Sequence, residues 1–355
     1  MTKIFLYMFR KYLIGFTLAI SILLSINLLI IFLSELKNLG ISQYDLILLV
    51  KYIIFLVPQN ILDIFPYALL IGSMIAFGSM SHHSEIVALN SIGIGIKKII
   101  FIILFQTFFI SIIISFSGNH FASDSAIHAQ NIKNIALNKN TNNKEVWFKG
   151  KNTIINVKNV LTEYNLKNIE IYYIDNGMMS SIVTADKGTY NKEWNLESIK
   201  IIDINSNKII NKKSLTISSD NFIPFQVLKS SFHKKRYHSI QDLYTNIAYF
   251  DERGIYYEDH KIVFWQKIFL PFSCCIIVFI GIPFLFTKAR STNQSQRIIY
   301  GILFGITYFV ISSILINAFL ILNIPALVSV LISMGIFIMF GFLLFNRLVK
   351  TNIPI

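Results

Sequence analysis

Cysteine is almost missing from this chain. Of 355 residues only Cys274 and Cys275 carry a thiol. They are adjacent and lie in an apolar run, and neighbours in one helix point in different directions. They read as small apolar residues rather than a redox or metal pair. With no disulfide framework, any part outside the cytosol must fold on its own core. Charge is also scarce: 14% of the residues are Asp, Glu, Lys or Arg, against about 25% in a typical soluble chain. Acid is the scarcer sign, with 19 Asp and Glu against 32 Lys and Arg, a formal +13. From Lys261 to the C-terminus there is no acid at all. The remainder is apolar, 54% of the chain, with a mean hydropathy of +0.58. Together these exclude a disordered chain or a collagen and argue against an ordinary cytosolic enzyme. They point to a membrane protein whose charge is confined to a few places.

Signatures of catalysis are absent too. Gly93-Ile94-Gly95-Ile96-Lys97-Lys98 is the nearest glycine-rich basic stretch, but it lacks the phosphate-loop spacing and the Ser/Thr after Lys. There is no Gly-x-Ser-x-Gly elbow and no His/Cys cluster with metal spacing. Histidines such as His233 and His238 are isolated. Asp63 sits near a span end, and a self-powered ion relay needs more intramembrane ionisable groups than this. The reading is a non-catalytic chain with no cofactor and no metal. If it moves something, a partner supplies the energy.

A crossing needs about 20 mostly apolar residues. Six segments qualify: Tyr12–Leu33, Ile61–Met80, Ile99–Phe116, Ile262–Phe286, Ile298–Ile321 and Pro325–Phe345. The first is too long for a typical signal core and no small-residue cleavage site follows, so a retained helix is expected. The piece before Pro58 is too short to cross and is expected to lie at the interface or approach at a tilt. With both termini cytoplasmic, ten basic residues gather inside: Lys3, Arg10, Lys11, Lys97, Lys98, Lys288, Arg290, Arg297, Arg347 and Lys350, with Glu85 the one acid among them. That is the positive-inside bias. It favours a 3+3 arrangement, with residues 1–118 holding the first three spans, 119–255 an external domain and 256–355 the last three. The external block and its flanks hold 20 basic and 15 acidic residues. Most of the +13 is therefore topological and does not argue for nucleic acid.

The external block reads as β. Val146-Trp147-Phe148, Thr153–Val157, Ile169–Ile174, Ser181–Ala185, Ile199–Ile204 and Leu215–Ile217 alternate, and Asp175-Asn176-Gly177 is a strong hairpin signal. Short strands at this spacing indicate an antiparallel sandwich or partial barrel. After Pro224 the pattern turns helical, with Ser239 an N-cap candidate for Ile240–Tyr249.

The loop between spans two and three reads His82-His83-Ser84-Glu85-Ile86-Val87-Ala88-Leu89-Asn90-Ser91-Ile92-Gly93. Ser84 is a candidate cap for a short amphipathic helix ending at Gly93, with Ile86, Leu89 and Asn90 near one side. Such a helix suits docking into a groove on another protein; the alternative is a connector lying on the bilayer surface.

These residues resemble the lipopolysaccharide export permeases of the LptF/LptG (YjgP/YjgQ) family. The likeness covers nearly the whole chain. It rests on Val57-Pro58, Phe65-Pro66, Ala68-Leu69-Leu70, Gly72, Ser84-Glu85, Ile92-Gly93, Trp147, Lys149, Trp265-Gln266-Lys267-Ile268-Phe269-Leu270-Pro271, Arg297, Gly301, Phe304-Gly305, Tyr308 and Ile324-Pro325. Their order around an external β domain is what is specific. The Ser84-Glu85 loop and the segment Arg297 to Pro325 look more like LptG than LptF.

The resemblance implies an inner-membrane subunit of an ABC transporter. Its expected fold is six membrane helices with an inserted, all-β, jellyroll-like periplasmic domain. It implies an LptF-like permease partner, an LptB-like cytoplasmic ATPase dimer and an LptC-like periplasmic partner. Lipopolysaccharide is the implied substrate, drawn from the inner membrane and passed to a periplasmic bridge for outer-membrane biogenesis. Ser84, Glu85, Ile86 and Leu89 would then form the ATPase-coupling helix. Lys37, and secondarily Lys133, would meet lipid phosphates; the alternative is interfacial anchoring. Ile31 and Asn38 stand where basic residues are common in LptG proteins, which implies weaker phosphate recognition, recognition that rests on the partner subunit, or a lipid A with fewer phosphates. Gly301 and Gly305 form a small-xxx-small pair that, with Ile31 and Tyr308, would belong to a lateral gate or to packing within the subunit. Other readings are an LptF-type subunit, a lipoprotein-releasing permease, an envelope-lipid-modifying enzyme or a scaffold.

Overall fold

The computed structural model describes residues 2–137, 145–150, 152–162, 164–175, 178–204, 208–218, 222–224, 227–228, 234–253, 257–285 and 294–352. The chain divides into two compact units, one of residues 1–34, 55–126 and 261–355, the other of residues 35–54 and 127–260. The boundary expected at residue 118 falls inside a continuous helix.

The first unit is helical. Its elements come from α1 (Thr2–Leu36), α2 (Leu46–His82), α3 (Glu85–Ser91), α4 (Ile96–Ala136) and four later helices. Among the described residues five helices are long and apolar enough to cross a membrane, or six if one bent pair forms a single span. The hub is α2: 72% of its most apolar stretch is buried, against 11% for α1. Phe65, Leu69, Met74 and Phe77 of α2 join Met8 and Tyr12 of α1 and Ile99 and Ile103 of α4 in one core. Tyr12 donates to the Leu69 carbonyl at 3.2 Å and shares a hydrogen bond with Thr107 at 3.0 Å. Three helices are thus pinned by one buried hydroxyl.

Two spans differ from expectation. The piece before Pro58 is no separate segment, because α2 runs unbroken for 37 residues with Pro58 and Pro66 inside it. That is about 55 Å of helix. A proline removes one backbone donor, and neighbouring helices make that tolerable in a membrane protein. The fourth span, expected as one helix, is bent by 64° between α6 (Glu258–Ile268) and the helix Leu270–Leu285, here α7. The break sits just before Pro271, which has no N–H for the carbonyl a turn earlier. On either side of it the Phe269 and Ser273 amides still donate, to Trp265 and Phe269, each at 2.9 Å. Residue 286, the expected end of that span, lies outside the described residues. The chain closes with α8 (Gln294–Ile321) and α9 (Ala326–Asn352), linked by a Ser312–Ser333 hydroxyl pair at 3.0 Å.

The second unit is built on a six-stranded antiparallel sheet in strict sequence order. Its strands are β1 (Val146–Lys149), β2 (Thr153–Thr162), β3 (Asn165–Asp175), β4 (Met178–Asn191), β5 (Glu193–Asp203) and β6 (Lys208–Ile217). Period-two alternation puts Phe148, Ile155, Ile171, Val183 and Ile201 in one cross-strand row on the core face. Among the described residues there is one sheet rather than two facing ones. Hairpins join every strand to its neighbour, and the core face is packed instead by Phe222, Ile223, Val227, Leu228 and Tyr249. Trp194, fully buried, donates to the Ile223 carbonyl at 2.9 Å and fixes that cover. Tyr249 comes from α5 (Ile240–Glu252), whose start carries a full capping box between Ser239 and Asp242.

Candidate functional site

The short helix α3 forms where the loop composition placed it, but by other means. Ser84 occupies the N-cap with φ 59° and its side chain caps nothing. A capping hydroxyl needs an extended residue to reach the first amides, so the expected side-chain cap is corrected. The C-terminal end is a Schellman motif. Gly93, at φ +88°, donates to the Asn90 carbonyl at 2.9 Å, and Ile94 to that of Leu89 at 3.1 Å. Ile94 is buried and Leu89 packs on the same core.

Glu85 is held from α1. Lys11 Nζ lies 2.6 Å from its Oε1 and the Tyr7 hydroxyl donates to its Oε2 at 2.9 Å. The Lys11 ammonium also stands 4.8 Å from the Tyr7 ring centre. Burial pushes the Glu85 carboxyl up, but bonds from Lys11 and Tyr7 and the nearby positive charge outweigh it and hold it below the usual carboxylate range. Ile86, expected on the docking face, is 6% exposed within the chain's own core. It anchors α3 from beneath. The large apolar residues that this segment exposes are Val87 and Ile92.

In the second unit the two candidate lysines part company. Lys37 lies in the turn after α1, exposed, with no ion pair among the described residues. Lys133 does not offer a free charge. Its Nζ is 2.5 Å from Glu35 Oε1, in a pair whose side chains are 17% and 9% exposed. The Tyr52 ring lies 5.2 Å away, and Asn38 donates to the other Glu35 oxygen at 2.8 Å. Tyr44, buried nearby, has its hydroxyl pushed up to about 12 by burial and then by the charge of Glu35. Glu35 carried no sequence signal, because its partner is 98 residues away.

The helical unit also holds an apolar cleft of about 220 Å³. Leu23, Asn27 and Ile30 of α1, Tyr67 and Leu70 of α2, and Gly305 and Ile306 of α8 line it. Asn27 Oδ1 is buried there without a hydrogen-bond partner. Gly305 sets the width: a Cβ on it would meet Leu70 Cδ2 at 3.0 Å. Gly305 therefore packs within its own chain, as does Tyr308, which is 3% exposed against Phe337. Gly301 lies one turn earlier in α8. Ile31 is half-buried on α1 and is not part of the cleft lining. The large apolar residues that α8 turns outward include Ile299, Leu303, Ile306, Val310 and Ile314.

A bundle of apolar helices with a sheet unit inserted after the third, a surface helix between two of them and a cleft among the membrane helices has the architecture of a membrane permease. The chain belongs to the lipopolysaccharide export permease family LptF/LptG, whose model matches residues 6–347. It is 26% identical to the lipopolysaccharide export system permease protein LptG of Haemophilus influenzae, over 92% of this chain and 93% of that protein. To the protein of the same name from Escherichia coli K12 it is 23% identical, over 93% of this chain and 94% of that one.

Proposed function

We propose that this chain is the LptG-type permease subunit of an ABC transporter that extracts lipopolysaccharide from the inner membrane and passes it to a periplasmic bridge. The family match over both units, sheet included, carries this reading. In it the chain is not an enzyme. A separate LptB-like ATPase hydrolyses ATP, an LptF-like subunit completes the permease, and an LptC-like partner receives the lipid. Both termini and α3 are cytoplasmic, consistent with the ten basic residues assigned to that side. The unit of residues 35–54 and 127–260 is periplasmic.

The chemistry of the substrate supports the assignment. Acyl chains need an apolar cavity, and the cleft between α1, α2 and α8 supplies one wall of it. A helix of the LptF-like partner would meet α8 along Leu303, Ile306 and Val310. Anionic phosphates need cationic donors, and Lys37, exposed and without an ion pair among the described residues, is a candidate. Lys133 would have to exchange Glu35 for a phosphate. Glu85 and the exposed Val87 and Ile92 form the docking surface for the ATPase.

Co-purification in mild detergent tests this. Wild-type protein is expected to bring down the ATPase, the second permease subunit and lipopolysaccharide. Glu85→Lys is expected to lose most of the ATPase. Unchanged assembly and transport in that variant would overturn the docking assignment.

A further inference from the structure

Glu85 is not simply an exposed acid awaiting a partner. Both of its oxygens are engaged by α1, Oε1 by Lys11 and Oε2 by Tyr7. A carboxylate has about four acceptor positions. The two bonds fix its rotation and leave room for a further donor. The side chain remains 28% exposed, so such a donor can reach it.

The pair is a poor candidate for a stability device. Both partners are partly solvated, and ion pairs of that kind contribute little to folding. Its placement is more informative. Ile86 and Ile94 already hold α3 to the core, and α3 is continuous in sequence with the α2 and α4 ends. By contrast, the most apolar stretch of α1 is the least buried among those of the five long apolar helices described, and α1 lines the apolar cleft. Near its start, polar side chains tie it to α3 through this one carboxylate, 74 residues away from Lys11.

We infer that Lys11 and Tyr7 are positioning residues that fasten the coupling helix to α1, so that displacement of α3 moves the α1 wall of the cleft. The inference rests on the reading of α3 as the ATPase-docking helix and deepens it. Lys11 and Tyr7 touch neither nucleotide nor lipid in this scheme; they act through Glu85.

The test uses the complete transporter in proteoliposomes. Three quantities are read: yield of assembled complex, ATP turnover, and lipopolysaccharide released per ATP. For Lys11→Met, assembly and ATP turnover are expected to stay near wild type while lipid released per ATP falls roughly five- to tenfold, the scale set by loss of a coupling contact. Tyr7→Phe, which removes one of the two bonds, is expected to show a smaller fall. Lys11→Arg, which keeps charge and donors, is expected to restore the ratio.

An intact complex with an unchanged ratio in Lys11→Met would overturn the inference while leaving docking in place. So would loss of the ATPase from Lys11→Met as complete as from Glu85→Lys, since Lys11 would then serve docking itself. If Lys11→Met does not fold, Lys11→Gln is read in its place, and failure of both to fold assigns Lys11 to stability and also overturns the inference. Full assembly by Glu85→Lys would overturn the docking reading itself, and is separately visible.

Discussion

A Cβ atom added to Gly15 would stand 2.5 Å from the Gly72 carbonyl oxygen, and one added to Gly72 would stand 2.7 Å from the Phe16 backbone. Here α1 and α2 touch backbone to backbone, as small residues permit between membrane helices. Gly15→Leu is expected to destabilise the helical unit by roughly 2 kcal/mol or more, because the obstacle is main chain that cannot rotate away. Thermal melting followed by size-exclusion in detergent reads this; a melting temperature equal to wild type would contradict the close approach.

The Glu35–Lys133 pair is nearly closed to solvent. Removing one partner strands the other charge, so Lys133→Met is expected to cost roughly 3 kcal/mol. Lys133→Met with Glu35→Leu should cost less than the sum of the single changes. A double-mutant cycle by chemical denaturation measures the coupling, and additive costs would show that the two side chains do not depend on each other.

At the ends of α3 the two caps should respond in opposite ways. Ser84→Ala removes no capping bond, so its effect on α3 protection in hydrogen exchange is expected within about 0.5 kcal/mol. Gly93→Ala places a Cβ at φ +88° and is expected to cost about 1 kcal/mol. Equal losses from both would restore the side-chain cap.

Lys37 is exposed and, among the described residues, makes no ion pair, whereas Lys133 is held by Glu35. Lys37→Glu is expected to cut photocrosslinking of lipid A to this subunit several-fold, and Lys37→Arg to preserve it. Crosslinking unaffected by Lys37→Glu would make Lys37 an interfacial anchor.

The Glu85 carboxyl is held below its ordinary value of 4.5. A depressed acid contributes its bonds above the unfolded value and loses them as pH falls through the folded one. The Lys11–Glu85–Tyr7 cluster should therefore be unchanged from about pH 8 to pH 5 and open only in stronger acid. The Glu85 carboxylate band, isolated by infrared difference against Glu85→Gln, follows this; a protonated Glu85 already near pH 6 would contradict the clamp.

Much of what depends on near neighbours in the chain is readable from the residues alone, though the Ser84 cap and the bend before Pro271 are not. Apolar runs marked the helices because a span must satisfy its backbone internally. Alternation marked β1 to β6, since a pleated strand turns successive side chains to opposite faces. Ser239 announced its capping box three residues ahead, and Gly93 its helix end. The order of short motifs led to the LptF/LptG family, which the match over residues 6–347 bears out.

Side-chain partnership was not readable, because helix periodicity fixes which face a residue takes and not what stands opposite. Glu85 reads from the resemblance as part of the coupling helix, and the packing of α1 against α3 gives it Lys11 and Tyr7. Lys133 reads as a secondary phosphate candidate or an interfacial anchor, and the folding of α4 beside the turn after α1 pairs it with Glu35. Ile86 looked like a docking residue and became an anchor. Gly301 and Gly305 are the small pair that spacing suggests, while the backbone-to-backbone approach of α1 and α2 lies at Gly15 and Gly72. These contacts join residues 57 to 98 positions apart. No local pattern encodes them; only the packing of one helix on another decides them.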